Sequence, residues 1–405
     1  MFYRRLVQEM LEGKRSRNKV RLLFGARQVG KTALLNRLLP EGNSIVYNLQ
    51  QSSVRQRFEA DPASFSREIR ALPKSITHVG VDEIQKVPAL LEEVQELYDS
   101  SPERVQFFLT GSSARQLRQR SANLLPGRCH IHGLLPVTRL EEEGAFQPLL
   151  GGQTLNTDGF PQRSLESRLL LGNLPGVLLE EPETAAATLD AYVQNYIEEE
   201  IRREALVRDV GAFLSFVRLS AAESGAQVNL AALSRESGIA ASTLAGFYKV
   251  LEETFVGYQL NSYHGSARKR LLTTPRFYYF DLGVRGAAAG TPLLLSLAPT
   301  QAGPMLEHWV ALELIHRAKY QGRGVDVRFW RTASGAEVDF VWVCPEQDIP
   351  IEVKWTENPR PADARHIETF LDLHPDRATK GFVVCRVPRR QQLTDRVVAI
   401  PWSEL

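Results

Sequence analysis

The stretch GARQVGKT, residues 25–32, decides how the first part of the chain folds. Its spacing is G-x-x-x-x-G-K-T, and the apolar run Val20–Phe24 directly before it is typical of a buried strand. The apolar residues after it indicate a helix, which Pro40 ends. In such a loop the glycines let backbone N–H groups surround phosphates, and the helix N-terminus adds the positive end of its dipole. The sequence therefore predicts a strand, a phosphate-binding loop and a helix in succession.

This loop is a Walker A motif, and five of its residues are expected to contact ATP: Gly25, Gln28, Gly30, Lys31 and Thr32. A lysine at this position reaches the terminal phosphates, and the hydroxyl of the following threonine is a ligand of Mg²⁺. A chance lysine in a Gly-rich turn is the alternative, but the strand before the loop and the helix after it argue against that alternative. We therefore predict that ATP and Mg²⁺ bind here.

A short strand that ends in two acidic residues, HVGVDE at 78–83, supports the nucleotide site as a Walker B motif. Asp82 is placed to hold Mg²⁺, as carboxylates do at phosphoryl-transfer sites. Glu83 is placed to accept a proton from the attacking water. A solvated acidic strand end is the alternative interpretation. We expect Asp82 to bind the metal and the nucleotide, and Glu83 to be catalytic.

Another strand is predicted at Val105–Leu109, and polar residues follow it. The hydroxyl of Thr110 or of Ser112 is placed to hydrogen-bond the terminal phosphate or the attacking water. An ordinary strand-to-turn transition has the same pattern, so both interpretations stay open. Of the two hydroxyl residues, Thr110 is our predicted nucleotide-binding residue.

These elements together resemble the AAA+ class of P-loop ATPases, in which strands that bear these motifs follow in the same chain order. The resemblance implies an arginine just before the fifth strand that acts on the ATP of a neighbouring subunit. Arg128 occupies the matching place, and Arg115, Arg118 and Arg120 are rivals. Such an arginine is worth about 10³–10⁵ in rate. We therefore expect Arg128 to be catalytic across the interface of a homo-oligomer.

The whole chain has the composition of a globular protein, with 405 residues, 43% hydrophobic and 24% charged residues and a net charge of +2. This length predicts two or three domains. A wholly basic nucleic-acid coat, an acidic solvating chain and a membrane bundle are excluded, although residues 1–37 contain ten Lys or Arg and two Glu. The three cysteines have no C-x-x-C spacing, which indicates reduced thiols of a cytoplasmic protein.

Residues 229–263 have the spacing of a helix-turn-helix followed by a strand, which is typical of a winged helix. Gly238 breaks a first helix and Ser242 caps a second. The second helix is predicted to turn four residues toward a core: Leu244, Phe247, Tyr248 and Leu251. Lys249 is its only basic residue, so we favour a packing or lid module over a DNA reader. The basic run at 268–270 is the better candidate for phosphate contact.

Toward the C-terminus, a helix and three strand candidates carry a second set of charged residues. An amphipathic helix is predicted at 303–320, with Glu307 beside its apolar stripe. Strand candidates follow at 325–330, 337–343 and 349–355. Side chains alternate along a strand, so pairing of the last two strands would bring together Asp339, Glu352 and Lys354. Carboxylates there suit Mg²⁺, which prefers oxygen ligands, and Lys354 would orient or deprotonate a water.

This arrangement of Asp…Glu-x-Lys behind a helix with a Glu resembles the PD-(D/E)XK nuclease fold. The resemblance implies metal ligation by Glu307 of the helix and by Asp339 and Glu352 of the strands. Lys354 takes the place of the catalytic lysine, and Glu313 is a rival for the helix position. Because E-x-K occurs in many short strands, a β-hairpin with a salt-bridged polar face is the alternative.

Motifs in the same order recur in one large prokaryotic group of AAA+-like ATPases fused to a C-terminal region long labelled a domain of unknown function. The shared motifs are GARQVGKT, VDEIQKVP, LTGSSARQL, GNLPGV, FYYFDLGVR, EVDF and IEVKW. The resemblance spans nearly the full length, and Ala26 stands where that group often has Pro. It implies ATP binding and a nuclease-like C-terminal domain, without a settled physiological role.

We therefore predict an α/β protein of three parts. An AAA+-like P-loop ATPase domain with a parallel sheet is expected at 1–145, and a helical linker with a winged-helix-like region at 146–285. An α/β PD-(D/E)XK nuclease-like domain is expected at 286–405.

The leading hypothesis is a Mg²⁺-dependent ATPase that acts on DNA and whose nucleotide state controls the nuclease-like domain. The alternative is a non-cutting ATP-dependent switch or scaffold, whose nuclease-like fold binds a protein or nucleic-acid partner. A metabolic kinase is a weaker third hypothesis. The pair Asp82-Glu83 suits ATP hydrolysis better than phosphoryl transfer to a metabolite, and the sequence shows no recognisable site for a small substrate. The expected partners are ATP and DNA, and no membrane.

Overall fold

The computed structural model describes residues 2–13, 18–113, 125–144, 148–151, 154–155, 159–197, 209–264, 274–293, 297, 299–322 and 324–405. These residues belong to two compact units of the chain. The N-terminal unit comprises Met1–Leu135 with Glu253–Phe255, and the C-terminal unit comprises Pro136–Glu252 with Val256–Leu405.

The N-terminal unit alternates strands with helices along its described residues. The strands are β1 (Val20–Phe24), β2 (Ser44–Asn48), β3 (His78–Asp82), β4 (Gln106–Gly111) and β5 (Cys129–Gly133). The helices are α1 (Val7–Glu12), α2 (Lys31–Leu38), α3 (Ser52–Ala60), α4 (Ala63–Ala71) and α5 (Leu90–Ser100). The strand predicted at Val20–Phe24 is confirmed with the same bounds.

These strands form one parallel sheet in the order β2-β3-β4-β1-β5. β1 lies between β4 and β5, and β3 lies between β2 and β4. Every residue of β1 is buried, as its apolar sequence predicts. Because the strands are parallel, the carboxyl ends of β1, β3 and β4 meet at one edge. This edge holds the residues predicted to bind and hydrolyse nucleotide.

An aromatic cluster secures β2 against the helices that follow it. The rings of Tyr47, Phe58 and Phe65 meet edge to face, with centroid separations of 5.5, 5.3 and 5.6 Å. Edge-to-face contacts of this kind add to the free energy gained by burying the rings. The cluster belongs to the main core of the unit.

The basic residues of the first 37 positions do not all face solvent. Arg5 is buried and donates hydrogen bonds to the carbonyl oxygens of Val29, at 2.9 Å, and Leu135, at 2.6 Å. Arg21 is also buried, with its guanidinium carbon 4.6 Å from the centroid of the Phe108 ring. Part of the basic excess of this segment therefore serves the packing of the unit rather than a surface for nucleic acid.

The C-terminal unit begins with helices and ends with a sheet. Its helices within the described residues are α6 (Leu165–Leu171), α7 (Pro175–Leu178), α8 (Pro182–Ala191), α9 (Val210–Ala222), α10 (Leu230–Ser237), α11 (Ala241–Glu253, whose last residue groups with the N-terminal unit), α12 (Leu282–Ala289), α13 (Pro299–Gln321) and α14 (Arg365–Leu373). Its strands there are β6 (Gly257–Leu260), β7 (Arg276–Tyr279), β8 (Asp326–Arg331), β9 (Glu337–Val343), β10 (Asp348–Val353), β11 (Gly381–Cys385), β12 (Gln391–Gln392) and β13 (Val397–Pro401).

The strands β8 to β13 form a mixed sheet in the order β12-β13-β11-β10-β9-β8, and β6 pairs with β7. The pairing of β9 with β10, on which the predicted second site depends, is present and antiparallel, with Ile351 opposite Phe340. On the other side β10 pairs in parallel with β11. Every residue of β10 is buried, so both faces of this strand are covered. A central strand covered on both faces has no solvent side.

The helix predicted at 303–320 is confirmed and is longer, but its amphipathic character is wrong. Between Met305 and Tyr320 nearly every residue of α13 is buried. The helix contacts strands β8 to β10 and also helices α6 and α12. A helix that is packed by neighbours on several sides has no solvated stripe. The charged residues Glu313 and Arg317 are therefore buried with it.

The predicted helix-turn-helix spacing is present in α10 and α11. Gly238 ends α10 with a left-handed backbone, φ 70°, which glycine adopts without strain. α11 begins at Ala241, so its N-cap is Ala240 and the prediction that Ser242 caps it is wrong by two residues, a shift common at helix ends. The core-facing residues of α11 are buried as predicted: Leu244, Phe247, Tyr248 and Leu251. The basic run 268–270 lies outside the described residues.

The predicted mixed α/β class is confirmed: an N-terminal parallel sheet, a helical middle and a C-terminal sheet domain. In the described ranges, every helix is too short or too polar to cross a bilayer. The three-part division at 145 and 285 stays a prediction beside the two compact units.

Candidate functional site

The phosphate loop after β1 requires glycine at its start and a left-handed backbone within it. A Cβ atom at Gly25 would lie 2.2 Å from the carbonyl oxygen of Leu134, so a larger residue would collide with the main chain. Gly30 has φ 94° and Gln28 has φ 61°, both in the left-handed region. These bends turn the chain from β1 into α2, which begins at Lys31.

Lys31 is buried in this loop with its ammonium group held by backbone carbonyls. Its Nζ donates hydrogen bonds to the oxygens of Gly25, at 3.1 Å, and Ala26, at 2.9 Å. The same atom lies 3.8 Å from Oε1 of Glu83. The charge of the predicted phosphate-binding lysine is therefore already inside the loop, beside the predicted catalytic acid.

The three predicted residues Thr32, Asp82 and Thr110 form one hydrogen-bonded chain. The Thr32 hydroxyl donates to Oδ2 of Asp82 at 2.8 Å, and the Thr110 hydroxyl donates to Oδ1 of Asp82 at 2.5 Å. The Thr110 oxygen also accepts the backbone N–H of Glu83 at 3.1 Å. Thr110 therefore orients the acidic pair, which the strand-to-turn pattern alone did not reveal.

Glu83 is buried directly after β3 and surrounded by donors. Its backbone is left-handed, φ 61°, which is unfavourable for a residue with a Cβ atom. Oε2 accepts a hydrogen bond from the Ser112 hydroxyl at 2.9 Å and another from Nε2 of Gln85. Gln85 Nε2 lies 2.9 Å from the Ser112 hydroxyl oxygen, to which it also donates.

The environment of Glu83 keeps its carboxylate ionised. Burial raises the pKa of Glu83, but the charge of Lys31 and the hydrogen bonds from Gln85 and Ser112 lower it further than burial raises it. The net pKa lies below the ordinary value of 4.5. The side chain is thus in the basic form that proton acceptance requires.

Sequence reasoning missed Gln85, which the structure places in the site. The residue lies in a 3₁₀ turn, Ile84–Lys86, that carries its side chain back toward Glu83. Its position two residues after the acid in VDEIQKVP was the one available signal, and spacing alone does not reveal a 3₁₀ turn.

Arg128 lies directly before β5, as predicted. Its Nε donates to Oδ1 of Asp99 at 2.5 Å and its Nη2 to Oδ2 of Asp99 at 2.9 Å. The guanidinium is partly exposed and its partner Asp99 is at the end of α5. The rival residues Arg115, Arg118 and Arg120 lie outside the described residues.

The second predicted constellation assembles in the C-terminal unit, where β9 and β10 pair. The Asp339 carboxylate accepts the backbone N–H of Val353 at 2.9 Å through Oδ2. Lys354 follows the last residue of β10, and its Nζ donates to Oε1 of Glu352 at 2.7 Å. The second oxygen of Glu352, Oε2, is buried and has no hydrogen-bond partner.

Glu307 approaches this pair of strands from helix α13, as the nuclease resemblance implies. It is joined by a residue that sequence reasoning missed, Arg276 of β7. Arg276 Nη1 lies 3.1 Å from Oε1 of Glu307, and Arg276 Nη2 forms an ion pair with Glu337 of β9. The Tyr278 hydroxyl donates to Oε1 of Glu307 at 3.5 Å.

The carboxyl groups of the cluster disfavour one another's ionisation. Burial and the nearby Asp339 raise the pKa of Glu307 to about 7, although Arg276 opposes the shift. Burial and Asp339 likewise raise the pKa of Glu352 to about 7, against the charge of Lys354. Burial raises the pKa of Asp339 as well. Such mutual repulsion is relieved by a cation bound among the carboxylates.

The predicted metal ligands Glu307, Asp339 and Glu352 are close enough to raise one another's pKa, but they are not arranged as a metal-binding group in the structure. Within the residues that the structure describes, no group of three or more His, Cys, Asp or Glu side chains is arranged to hold a metal ion. The oxygen donors suit Mg²⁺, the buried Oε2 of Glu352 accepts no hydrogen bond, and Arg276 pairs with Oε1 of Glu307. The residues therefore fit the metal in chemistry, and a metal ion bound there would share the carboxylate of Glu307 with Arg276.

Glu313, the rival for the helix position, is used elsewhere. Its carboxylate accepts the backbone N–H of Arg139 at 3.1 Å and lies 3.5 Å from Nε of Arg317. Burial raises its pKa to about 7, and Arg317 opposes that shift. Glu313 thus belongs to a buried ion pair in the C-terminal unit.

Three family models match successive parts of the chain. One described as an AAA domain matches residues 17–142. Two described as domains of unknown function match residues 162–294 (DUF8612) and 302–405 (DUF4143). The chain therefore has an AAA domain at its N-terminus and a domain of unknown function at its C-terminus, in agreement with the coarse form of the predicted resemblance.

Two uncharacterized proteins, of Mycobacterium bovis and Mycobacterium tuberculosis, are each 24% identical to the chain over 392 residues. These alignments cover 96% of this chain and 81% of each relative.

Two solved structures show only weak similarity. A Pif1 helicase from Bacteroides in complex with ADP-AlF3 and ssDNA is 13% identical, covers 48% of this chain and 51% of its own, and has a TM-score of 0.27. A Vibrio cholerae protein is 14% identical, covers 95% of this chain and 94% of its own, and has a TM-score of 0.20. The chain spans about half the length of the helicase, and TM-scores this low establish no shared fold.

Proposed function

We propose that the N-terminal unit is a Mg²⁺-dependent ATP hydrolase. The observation that carries the proposal is the hydrogen bond of 2.8 Å between the Thr32 hydroxyl and Asp82, which joins the phosphate loop to the acidic end of β3. The match to an AAA domain supports the same activity. Thr32 and Asp82 would hold Mg²⁺, which neutralises phosphate charge when it is bound.

The other residues of the site divide into groups that contact the substrate and groups that position them. Lys31 exchanges its carbonyl contacts for the terminal phosphates of ATP. Glu83 accepts the proton of the attacking water, because its lowered pKa keeps it ionised at neutral pH. Gln85 and Ser112 fix the carboxylate of Glu83, so that little reorganisation is needed during the reaction.

We also propose that Arg128 acts on ATP bound by a neighbouring copy of the chain. Its position directly before β5 and its partly exposed guanidinium support this role. Arg128 would exchange Asp99 for the transferred phosphate, as an arginine supplied in trans does. Mixing Arg128→Ala with Glu83→Gln protein tests the role, because only mixed oligomers then contain one intact site.

ATP hydrolysis is tested by measuring phosphate release from wild type and Lys31→Ala with Mg²⁺. We expect a loss of at least about 100-fold, as for removal of a preorganised charge at a reaction centre. The exposed Lys74, replaced by Ala, is the matched control and should leave the rate unchanged. Equal rates in wild type and Lys31→Ala would refute the assigned site.

For the C-terminal unit, we propose Mg²⁺-dependent DNA cleavage that is controlled by the nucleotide state of the first unit. The carboxylates of Glu307, Asp339 and Glu352 beside Lys354 support this proposal. Metal held there would stabilise the charge that develops on a scissile phosphate, and Lys354 would orient the water.

Cleavage is tested on duplex, single-stranded and branched DNA, with and without ATP. Asp339→Ala should abolish DNA cleavage and leave ATP hydrolysis intact. Lys31→Ala should make DNA cleavage independent of ATP. The exposed Glu346 in the turn between β9 and β10, replaced by Ala, is the control. Cleavage that persists in Asp339→Ala would refute the metal site.

A second candidate function is a non-cutting ATP-dependent switch whose C-terminal unit binds a partner. The observation in its favour is Arg276, which pairs with Glu307 and Glu337 and gives the cluster a structural counter-ion. Intact ATP hydrolysis without cleavage of any DNA form, in either Mg²⁺ or Mn²⁺, would favour this function.

A further inference from the structure

Arg276 is held rigidly between three parts of the C-terminal unit. It lies on β7, is 7% exposed, and pairs with Glu307 of α13 and Glu337 of β9. Its guanidinium carbon also lies 5.0 Å from the centroid of the Phe329 ring on β8. A guanidinium in this position is a fixed positive charge, because arginine does not lose its proton in proteins.

The basic side chains of the cluster pair with some carboxylate oxygens around Arg276 and leave one without a partner. Glu307 and Glu337 share Arg276, and Glu352 shares one oxygen with Lys354. The remaining oxygen of Glu352 has no hydrogen-bond partner, although this residue is only 6% exposed. A buried carboxylate oxygen without a donor is unfavourable, so the cluster has unused capacity for a cation.

We propose that Arg276 is a resident counter-ion that competes with a divalent cation for Glu307 and thereby sets the metal affinity of the cluster. A metal ion bound to Glu307, Asp339 and Glu352 would share the carboxylate of Glu307 with Arg276, whose Nη1 donates to Oε1. Two cations on one carboxylate repel each other. Wild-type protein therefore binds divalent cations weakly, and displacement of Arg276 strengthens the binding.

This inference rests on the proposed magnesium chemistry of the cluster, but its test needs neither DNA nor ATP. Full-length, nucleotide-free protein is titrated with Mn²⁺, and free Mn²⁺ is measured by electron paramagnetic resonance. Arg276→Gln and Arg276→Met should bind Mn²⁺ about 10- to 100-fold more tightly than wild type. Adding Asp339→Ala to either variant should cancel the gain, which assigns the gain to this cluster.

The matched control is Arg331→Met. Arg331 is exposed, and its Nε lies 3.6 Å from Oε2 of Glu337, so it adds charge to the cluster without contacting Glu307. Competition at Glu307 predicts almost no change in Mn²⁺ affinity for Arg331→Met. A gain equal to that of Arg276→Gln would show that only the total charge matters and would overturn the proposal.

Hydrogen exchange on wild-type protein decides the matter if the Arg276 variants fail to fold. Bound Mn²⁺ should speed amide exchange in β7 (Arg276–Tyr279), because it releases Arg276 from its partners, and Asp339→Ala should abolish that effect. Slower or unchanged exchange in β7 at saturating Mn²⁺ would overturn the proposal. Unchanged or weaker Mn²⁺ affinity in folded Arg276→Gln would do the same.

Failure of the proposed nuclease activity is separable from failure of this inference. Tighter Mn²⁺ binding by Arg276→Gln without DNA cleavage supports the competition and refutes cleavage. Cleavage that requires Asp339, together with equal Mn²⁺ affinity in wild type and Arg276→Gln, supports the nuclease site and refutes the competition.

Discussion

Glu83 in the N-terminal unit and Glu352 in the C-terminal unit are equally buried, each 6% exposed, yet their pKa values shift in opposite directions. Glu83 has Lys31 nearby and donors on Gln85 and Ser112. Glu352 has Lys354 on one oxygen, no hydrogen-bond partner on the other, and Asp339 close by. Burial alone therefore does not determine the ionisation of a carboxylate, whereas the surrounding donors and charges do. The first site is organised before its ligand arrives, whereas in the second site Arg276 and Lys354 do not offset the repulsion among the carboxylates.

Replacement of the organised carboxylate should have the largest effect. Glu83→Gln keeps the size and removes the base, so we expect ATP hydrolysis to fall about 10²–10⁴-fold while ATP binding remains. Phosphate release and binding of a fluorescent ATP analogue measure the two quantities. Glu92→Gln, on the exposed side of α5, is the control. A variant with more than half of the wild-type rate would show that Glu83 is not the base.

Removal of a donor should make the first site resemble the second. Gln85→Ala deletes hydrogen bonds to Glu83 and Ser112, so we expect a roughly tenfold lower kcat, the effect of about 1.4 kcal/mol. The pKa of Glu83 should rise, so the acidic limb of the pH–rate profile should move to higher pH. Exposed Gln51, replaced by Ala, is the control. A lower rate with an unmoved acidic limb would contradict the positioning role.

The raised pKa values in the second site predict a pH-dependent stability. The folded C-terminal unit binds protons at Glu307 and Glu352 more tightly than the unfolded chain, so its stability is greatest below about pH 4.5 for these groups and is lost as the pH rises through about 7. Glu313 and Asp281 have raised pKa values too and act in the same direction. Glu83, with its lowered pKa, acts in the opposite direction in the N-terminal unit.

Tryptophan fluorescence isolates this effect, because all five tryptophans of the chain lie after residue 300, in the C-terminal unit. We expect the melting temperature by this signal to fall between pH 5.5 and 8. Glu352→Gln should reduce the fall by about 2–4 °C for each kcal/mol of repulsion removed. A melting temperature that rises over this range in wild type, or a slope unchanged by Glu352→Gln, would contradict the assigned repulsion.

Loss of the surface ion pair between Asp99 and Arg128 should have the smallest effect on stability of the changes considered. Asp99 pairs with Arg128 at the surface, where water screens the charges. Arg128→Ala should therefore leave hydrogen exchange in the N-terminal unit almost unchanged, whereas its proposed effect on ATP hydrolysis appears only in oligomers. Widespread faster exchange in this variant would assign Arg128 a structural role instead.

Local patterns predicted the first site better than the second. The motif GARQVGKT requires a strand before it and a helix after it, so β1 and α2 follow from neighbouring residues alone. β9 was likewise predicted with its observed bounds, whereas its pairing with β10 was considered as a condition and is shown by the structure. Helix α13 was wrongly expected to be amphipathic. Its burial depends on residues far away in sequence, which the local pattern of apolar residues does not reveal.

The residues that sequence reasoning missed are those whose contacts have no sequence spacing. Arg276 reaches Glu307 and Glu337 only because β7, α13 and β9 fold together. Gln85 is close to Glu83 in sequence, but a 3₁₀ turn was needed to direct it back. Neither helical nor strand periodicity contains this information.

The left-handed backbone of Glu83 is strained, and the contacts of its side chain offset that strain. A φ of 61° is unfavourable for glutamate by roughly 1 kcal/mol or more but natural for glycine. Glu83→Gly would relieve this strain, but it would also leave buried Lys31 without its carboxylate neighbour and Gln85 and Ser112 without their acceptor. A laboratory selection for thermostability alone should therefore retain a hydrogen-bond acceptor at this position and not enrich glycine, despite the strained backbone.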